Sequence, residues 1–546
     1  MKTLILSLCL ISSLSLAQNS IYQRAFNYYQ DNAPGGVAAF GKGDSVYFKS
    51  AYGLANLEVG KKIDFSTPFN VASVSKEFTC FAISLLEQDG KLNWEDDIRK
   101  HIPELPFYGD TIKLKHCAQH ISGLRDLYIL STLKGIANDS LTTHEFALDL
   151  IFSQKRKSFK AGEYFDYNAS GYVLLAEVVN RLSPDGFTLF LKDRVFSPIG
   201  MKNAFVGNLK NIKSDTVRAL SYERISSDAK TFKVDDRVLG PSNVYLSIND
   251  AIKWLQYQMN PSPEHKSIFE KMTTWGKLNN GKSIDYGYGF SKEREYGKEV
   301  IGHHGVTMGF HSIIFYYPSS KIFVSVITNS NAAGKMYDAT KMVMDSIILG
   351  EVAPVSNWVF DTADYDIKHI TELELEKYVE DFKVSFNKQV ETYIDDGQLY
   401  FYTTWGCSLP LYHLGNHKFA YEYGELWFSF KNDKLNKIIV PQKFYKTKGK
   451  VIDYSKIAGV KSSEIIGTYF NKEFNATLEV KTENEKLVVF HEIYGTTDLK
   501  QRKKLVFGCN PGWLRNFTFI KKKGKIIGFE LPIGRLNDKT FFEKQN

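Results

Sequence analysis

The hydrophobic pattern of the chain changes near residue 353 and divides its 546 residues into two parts of different fold class. Before that point, apolar residues at helical spacing mix with short runs that alternate as strands do. Strand-like runs at 37–40 and 45–48 flank a Gly-Lys-Gly-Asp turn, and runs at 312–317 and 322–327 flank a Pro-Ser-Ser turn. Early strands, a helical middle and late strands predict an α+β domain whose antiparallel sheet joins both ends of the segment.

The rest of the chain is almost wholly strand-like. Short alternating runs are separated by Asp-Gly, Gly-Asn and Lys-Gly turns. Its two halves resemble each other at a nearly constant offset, so that Phe419 corresponds to Phe507. The pattern predicts a linker at 353–370 and two small antiparallel β-barrels, at 371–455 and 456–546. One continuous β-sandwich is the alternative.

The N-terminus has the pattern of a secretory signal peptide. Lys2 supplies one positive charge, an apolar stretch follows, and small residues precede a cut after Ala17. We therefore expect 1–17 to be removed and the mature protein to be periplasmic or secreted, with its first domain at 18–352. A buried N-terminal helix is the alternative. No later run approaches the roughly 18 apolar residues that a membrane helix needs.

The net charge limits the kinds of binding partner that the chain suits, and the number of cysteines limits the role of disulfides. The formal net charge is +8, and part of the excess lies in lysine and arginine clusters at 500–504 and 521–525. A basic face there would suit an anionic envelope polymer, whereas solvated lysines in loops and strands are the simpler interpretation. Nothing resembles a nucleic-acid-binding module. The four cysteines outside the predicted signal peptide are too few for a disulfide scaffold.

The tetrapeptide Ser73-Val74-Ser75-Lys76 is the strongest chemical signal in the chain. If a helix begins near Ser73, Lys76 lies one turn along on the same face, where its amine can accept the proton of the serine hydroxyl. Three other Ser-x-x-Lys strings begin at Ser131, Ser227 and Ser385. Only the first precedes an apolar pattern at helical spacing, which ends at an Asp-Gly turn. Ser73 is therefore the predicted nucleophile.

Three further motifs carry candidate chemistry. Tyr167 stands just before an apolar helical stretch, where a phenol could move a proton beside an ammonium group. His303, in His-His-Gly before the late strand pair, stands at a sheet edge where glycine lets a substrate lie close. His116 and His120 have the spacing of a zinc-binding helix, but the intervening glutamate of a metalloprotease is absent. We therefore expect no metal at that pair.

Together and in this order, these segments resemble the serine beta-lactamase and penicillin-binding-protein-like hydrolases, in the branch nearest class C beta-lactamases and D-aminopeptidases. The resemblance covers about residues 20–350. It rests on Ser-x-x-Lys, the Thr-Ile to His-x-Ser-Gly-Leu segment, Tyr167 before Gly-Tyr, and His-x-Gly before paired strands. The late strand-rich part is similar to the lipocalin-like barrels that follow the catalytic domain in D-aminopeptidase relatives.

The resemblance implies a role for each motif. Ser73 would be the acylated nucleophile, Lys76 would activate it, and Tyr167 would act as general base and then general acid. His303 occupies the place of the lysine in the family's Lys-Thr-Gly motif, where it would hold the substrate and tune the tyrosine. The resemblance implies no cofactor.

The implied oxyanion hole consists of backbone N–H groups of Ser73 and Val306, with Gly305 beside them. One position departs from the family pattern: the Tyr-x-Asn motif would place asparagine at 169, where this chain has Ala169. Asn168 could bind the substrate only if the loop shifts by one residue. This departure weakens the prediction of a beta-lactamase or a peptidase more than the prediction of an esterase.

These motifs favour an exported serine hydrolase that acts through an acyl-enzyme on small peptides, amides or esters, including D-amino-acid peptides from the cell wall. A protein of the same fold that binds such peptides with little or no turnover is the alternative, and Ala169 favours it. A third hypothesis assigns the main function to the strand-rich part, which would bind a partner or gate the cleft.

Overall fold

The computed structural model describes part of the chain, and every structural statement below concerns that part. The described residues are 25–545 except 135–142, 208–217, 224–226, 233–236, 296, 332, 350–364, 386–387, 396, 403–407, 422–423, 433, 442–445, 452–461, 484–485, 492–494, 504–505, 510–516 and 533–538. The predicted signal peptide and most of the predicted linker lie outside them. Helices in the described part are too short or too polar to cross a membrane.

The first part of the chain mixes strands and helices. Its strands are β1 (Gly36–Lys42), β2 (Ser45–Tyr52), β3 (Leu54–Asn56), β4 (Lys61–Lys62), β5 (Phe69–Asn70), β6 (Phe205–Val206), β7 (Val244–Leu246), β8 (Ser291–Glu295), β9 (Lys298–Thr307), β10 (Phe310–Tyr317) and β11 (Ile322–Thr328). Its helices are α1 (Ser75–Gln88), α2 (Leu114–Ala118), α3 (Leu127–Leu133), α4 (His144–Phe152), α5 (Ser170–Leu182), α6 (Gly186–Leu191), α7 (Ser197–Ile199), α8 (Ile248–Met259), α9 (Lys266–Met272) and α10 (Ala333–Leu349).

Six of these strands form one antiparallel sheet in the order β2-β1-β11-β10-β9-β8. The two predicted hairpins are both present, and β1 pairs with β11, with Gly36 opposite Thr328. The prediction that one sheet joins both ends of the segment is therefore confirmed. It follows that β9 and β10, which carry the His-His-Gly motif, lie in the same sheet as the first strand of the chain.

The core of this part lies on both faces of the sheet. On one face, Phe40, Phe315 and Val324 pack with Met336 and Val343 of α10. On the other face, α8 packs against β1, β10 and β11. Both faces are covered, which explains why β10 and β11 are buried along their whole length instead of alternating.

Helix α1 is the predicted helix after the Ser-x-x-Lys motif. Its apolar residues fall at helical spacing, and Phe78 packs on Trp254 of α8 with ring centroids 4.5 Å apart. The helix ends at Gln88, and Gly90 follows with φ +71°, a left-handed conformation that glycine adopts without a Cβ clash. A single turn of 3₁₀ helix, Ala72–Val74, precedes α1 and holds Ser73.

The second part is strand-rich, as predicted. Short helices α11 (Glu372–Leu375) and α12 (Ser462–Ile465) each precede a run of strands. The first run is β12 (Asp381–Ser385), β13 (Lys388–Asp395), β14 (Gln398–Tyr402), β15 (Ser408–Pro410), β16 (Tyr412–Gly415), β17 (Lys418–Tyr421), β18 (Gly424–Lys431), β19 (Lys434–Pro441) and β20 (Lys446–Val451). The second is β21 (Gly467–Asn471), β22 (Ala476–Glu483), β23 (Lys486–His491), β24 (Gly495–Lys503), β25 (Val506–Cys509), β26 (Phe517–Lys522), β27 (Lys525–Pro532) and β28 (Lys539–Lys544).

The two runs of strands differ in how they close. Strands β21 to β28 form a closed barrel, whereas β12 to β20 form a nine-stranded sheet with β15 and β16 at its ends. Only Leu411 separates those end strands in sequence, and its side chain is buried in the core of this sheet. A pair of closed lipocalin-like barrels is therefore not confirmed. The corresponding residues Phe419 and Phe507 are both fully buried.

By its contacts the chain divides into two compact units, Met1–Tyr128 with Asn138–Pro354, and Ile129–Ala137 with Val355–Asn546. The sequence-based boundaries at 352, 370 and 455 remain predictions.

Candidate active site

The turn that holds Ser73 has an unusual backbone. Ala72 adopts φ +48°, a left-handed conformation that is costly for a residue with a Cβ atom. The Asn70 side chain stabilises it, because Oδ1 of Asn70 accepts the Ala72 N–H at 2.7 Å. Ala72 and Val74 are fully buried while Ser73 is half-buried. The turn therefore leaves Ser73 partly exposed between two buried residues.

Lys76 lies in the first turn of α1, as the spacing predicts. Its side chain is almost fully buried, and Nζ lies 3.1 Å from Ser73 Oγ. Nζ also donates a hydrogen bond of 2.9 Å to the carbonyl oxygen of Pro241. This second bond holds the amine beside the hydroxyl, which is the arrangement that proton transfer from serine needs.

Two aromatic rings flank the Lys76 amine. Nζ lies 4.9 Å from the ring centroid of Tyr167 and 5.3 Å from that of Tyr172. Rings at these distances stabilise an ammonium group. Tyr167 is half-buried, whereas Tyr172 is fully buried and donates its hydroxyl proton to the Ala118 carbonyl at 2.6 Å. Of the two phenols, Tyr167 is therefore the one that a substrate can approach.

His303 lies on β9 and is buried. Its ring centroid is 6.0 Å from that of Tyr167, and its Nε2 lies 2.8 Å from the hydroxyl of Tyr286. Burial, and next the charge of Lys76, lower the pKa of His303 to about 3. The imidazole is therefore neutral at physiological pH, unlike the lysine that the family places here.

Gly305 lets β9 pass close to the serine turn. A Cβ atom built there would lie 2.2 Å from the carbonyl oxygen of Val71 and 2.3 Å from Oγ of Ser312. Ser312 on β10 donates to that same Val71 carbonyl at 2.9 Å. Val306, the next residue, is 60% exposed. The predicted oxyanion-hole residues are thus near neighbours, and their role remains a prediction.

The side chain of Asn168 is buried and bonded to backbone groups, whereas a side chain that binds substrate would be accessible. It is 2% exposed, and its amide nitrogen donates to the carbonyls of Asp166 and Leu124. Its Oδ1 accepts the N–H of Gly171 at 3.3 Å. These bonds fix the loop before α5, so the Asn168 side chain serves the loop in this structure. Its predicted contact with substrate stays a prediction.

The two histidines of the zinc-like spacing are also bound to backbone. Nδ1 of His116 accepts the Lys113 N–H at 3.2 Å, and Nδ1 of His120 accepts the Asn168 N–H at 3.1 Å. In the described part of the chain, His, Cys, Asp and Glu do not cluster as a metal site requires. His120 instead supports the active site, because its ring lies 4.1 Å from the ring of Tyr167.

Comparison with known proteins identifies the family. The sequence model of the Beta-lactamase family matches residues 22–347, which is more than half of the chain. The chain belongs to the beta-lactamase family. The resemblance of its motifs to this family is confirmed.

Two similar proteins extend the comparison. The chain is 24% identical over 339 residues to Penicillin-binding protein 4* of Bacillus subtilis, covering 58% of this chain and 72% of that protein. It is 26% identical over 324 residues to D-aminopeptidase of Cereibacter sphaeroides, covering 59% and 61%. The chain thus spans less than two thirds of that D-aminopeptidase. These relatives indicate a serine hydrolase.

A solved structure of the family supports the fold alone. The octameric penicillin-binding protein homologue from Pyrococcus abyssi is 19% identical, with a TM-score of 0.53, and the match covers 89% of this chain and 98% of that one.

The beta-lactamase-family site contains groups that sequence reasoning missed. Tyr286 contacts His303, Tyr172 flanks Lys76, and the carbonyl of Pro241 binds the lysine amine. Pro241 and Tyr286 lie far from the motifs in sequence, so no local pattern indicates their contacts. The one available signal is the Tyr-Gly-Tyr-Gly run at 286–289, whose glycines allow close packing.

Proposed function

We propose that this protein is an exported serine hydrolase that forms an acyl-enzyme on Ser73 with small peptides, amides or esters. The observation that carries the proposal is the 3.1 Å contact between Lys76 Nζ and Ser73 Oγ in a half-buried turn. The D-aminopeptidase and penicillin-binding relatives support amide or peptide substrates, including peptides of D-amino acids from the cell wall.

The proposed reaction begins when Ser73 Oγ attacks the substrate carbonyl and its proton moves toward Lys76 and Tyr167. The carbonyl oxygen becomes an oxyanion, which the N–H groups of Ser73 and Val306 would stabilise. The C–N or C–O bond to the leaving group then breaks, and Tyr167 returns the proton to the amine or alcohol that departs. Water, activated by the same phenol, attacks the ester on Ser73 and releases the acid.

Ala169 is the observation behind the competing function, a peptide-binding protein with little turnover. Where the family motif has an asparagine amide, this chain has a methyl group that is 4% exposed, and the Ala169 N–H donates to Asp126 Oδ2 at 2.7 Å. A substrate would lose one hydrogen bond at this position. We expect the loss to slow the reaction of a peptide more than that of an ester.

The strand-rich part has a proposed role as a binding or spacing module for the hydrolase, built of lipocalin-like units. Its own buried aromatic core supports a separately folded module. The proposed export is tested by N-terminal sequencing of the secreted protein, which should begin at Gln18.

The hydrolase proposal is tested by intact-protein mass after incubation with a fluorophosphonate and, separately, with a penicillin. We expect one adduct that disappears in Ser73→Ala. Ser227→Ala is the matched control, because Ser227 begins another Ser-x-x-Lys string and is exposed, and it should keep the adduct. A stable penicillin adduct would support D-amino-acid peptide substrates. Folded protein that gains no mass from either reagent would contradict the hydrolase proposal and favour the binding protein.

A further inference from the structure

Tyr286 is a buried residue that the proposed mechanism does not use. It is 4% exposed and packs with Ile121, Ile284 and Tyr167. Its segment is fixed against α1, because a Cβ atom at Gly289 would lie 2.7 Å from the Lys76 carbonyl oxygen. The Tyr286 hydroxyl is therefore held in place beside the active site by the backbone packing of its own loop.

The hydrogen bonds of His303 define its tautomer. Nδ1 contacts the carbonyl oxygen of His304, which can only accept a proton, so Nδ1 carries the hydrogen. A neutral imidazole then has a lone pair on Nε2, and the group facing that lone pair at 2.8 Å is the Tyr286 hydroxyl. The hydroxyl therefore donates to Nε2. This bond stabilises the neutral ring in one tautomer.

The state of His303 matters because of what surrounds it. The titratable groups that face it are Lys76 from α1, Tyr167 from the loop before α5, Tyr286 from the loop before β8 and His304 on its own strand. A proton on Nε2 would place a second positive charge near Lys76. The Nε2–H group would also be a hydrogen-bond donor that competes for Lys76 and Tyr167, the groups that must move the Ser73 proton.

We infer that Tyr286 is a positioning residue that holds the neutral His303 in one tautomer, with its hydrogen on Nδ1 and its Nε2 lone pair occupied, so that Lys76 and Tyr167 alone move the proton of Ser73. The inference rests on the proposed acyl-enzyme function. It assigns to this tyrosine the control of the histidine that replaces the family lysine.

The first test compares Tyr286→Phe with Tyr288→Phe across a pH series, by the rate of fluorophosphonate labelling at Ser73. The first change removes only the hydroxyl donor, so His303 should protonate at higher pH. We expect the acid limb of the pH–rate profile to move up by about one pH unit, from about pH 3 toward about pH 4, so that labelling at pH 4 slows by roughly twofold while labelling at pH 7 is unchanged. Tyr288, whose ring packs on Trp94 at 4.7 Å, is the matched control and should leave the profile unchanged.

A double-mutant cycle separates positioning from packing. If Tyr286 acts through His303, adding Tyr286→Phe to His303→Gln should change the labelling rate no further. The inference would be overturned if the double variant were slowed by the product of the two single effects on the labelling rate. A pH–rate profile of Tyr286→Phe identical to that of the wild type would overturn it as well.

A second measurement needs no folded Tyr286 variant. Nitrogen-15 NMR of histidine side chains in the wild-type protein, with His303→Gln to assign the signal, should show Nδ1 protonated and Nε2 bare at pH 7. A signal from Nε2–H or from imidazolium would overturn the inference. Wild-type protein that shows the expected tautomer but is never labelled at Ser73 would instead refute the hydrolase function.

Discussion

The serine of the active site is positioned by its neighbours along the chain, and the lysine by a carbonyl group from a distant loop. Ala72 adopts a strained left-handed turn before Ser73, and the Pro241 carbonyl holds Lys76 from a distant loop. Strained backbone of this kind persists only where the surrounding structure enforces it, and it concentrates at functional sites. The reactivity of Ser73 should therefore depend chiefly on Lys76 and on the shape of this turn.

Lys76→Gln should slow fluorophosphonate labelling of Ser73 by about 10²- to 10⁴-fold, because the variant removes the group that accepts the serine proton. The measurement is the labelling rate by intact mass. Lys230→Gln alters the exposed lysine of another Ser-x-x-Lys string and should have no effect. Equal labelling of both variants would show that Lys76 has no role in activation.

Glu77, next to Lys76, is a fully buried carboxyl group whose protonation state affects the stability of the folded protein. Its Oε2 accepts hydrogen bonds from Trp254 at 2.6 Å and Gln258 at 2.9 Å. Among the described residues, Oε1 of Glu77 and Oε1 of Gln258 have no hydrogen-bond partner. Burial raises the pKa of Glu77 to about 8. Glu77 is therefore protonated, and uncharged, in the folded protein at neutral pH.

Glu77→Gln should flatten the dependence of stability on pH. The folded protein holds the Glu77 proton up to about pH 8, whereas the unfolded chain loses it near 4.5. The free energy of unfolding of the wild type therefore falls between these values, by up to about 5 kcal/mol, and the loss is complete above pH 8. The variant keeps an amide donor at all pH values, so its Tm at pH 9 should exceed that of wild type.

The measurement for Glu77→Gln is thermal unfolding at pH 5 to 9.5. Glu270→Gln changes an exposed carboxyl group and should follow the wild-type curve. Parallel curves for wild type and Glu77→Gln would show that Glu77 is ionised in the folded protein.

Among the secondary-structure elements, the contact between β9 and the serine turn is the decisive one. Strand β9 carries His303, Gly305 and Val306, and it approaches Val71 and Ala72 only because residue 305 has no side chain. The same strand thus sets the distance between the predicted oxyanion hole and the nucleophile.

Gly305→Ala should reduce both stability and labelling. The new Cβ atom would overlap the Val71 carbonyl and Ser312 Oγ, so β9 must move away, at a cost of typically 1–3 kcal/mol. Glu299→Ala, at the exposed outer end of the same strand, is the control and should change the free energy of unfolding by less than about 0.5 kcal/mol. Denaturant unfolding and Ser73 labelling report the two effects. A fully stable, fully reactive Gly305→Ala variant would contradict the close approach.

Local patterns predicted the elements of the site, whereas the long-range contacts needed the structure. Apolar spacing and turn residues indicated α1 and both hairpins, and the Ser-x-x-Lys spacing indicated the Ser73–Lys76 contact. The hydrogen-bond partner of His303 could not be predicted, because Tyr286 reaches it only through the packing of its loop against α1. The bonds of Asn168 to backbone likewise depend on where the loop at 120–124 lies.

On the scale of the whole molecule, the chain combines a catalytic unit with a strand-rich unit. The change of pattern near residue 353 predicted this division, and the predicted strand content after it is present. Alternation along the chain fixes which residues face a core, but strand closure depends on pairing between distant segments. This is why the sequence did not distinguish the nine-stranded sheet from the closed barrel.

A chain truncated after residue 352 should fold and keep its labelling at Ser73. Its six-stranded sheet is completed by β11 and covered by α10, which both lie before the cut. The measurements are circular dichroism and the labelling rate, with truncated Ser73→Ala as the blank. Unchanged labelling would leave the strand-rich unit as a binding or spacing module. Loss of labelling in a folded truncated chain would show that this unit takes part in the reaction.

The pairing of β1 with β11 has a consequence for synthesis. The N–H of Gly35 bonds to the side chain of Asn329, 294 positions away, beside the ladder that joins β1 to β11. On a ribosome, the first strand can pair with β2 early, but its other edge therefore waits for β11 until almost the whole catalytic unit has been translated. A nascent chain that stops short of β11 should bind chaperones and lack a reactive serine, so the enzyme gains its nucleophile only at the end of the unit's synthesis.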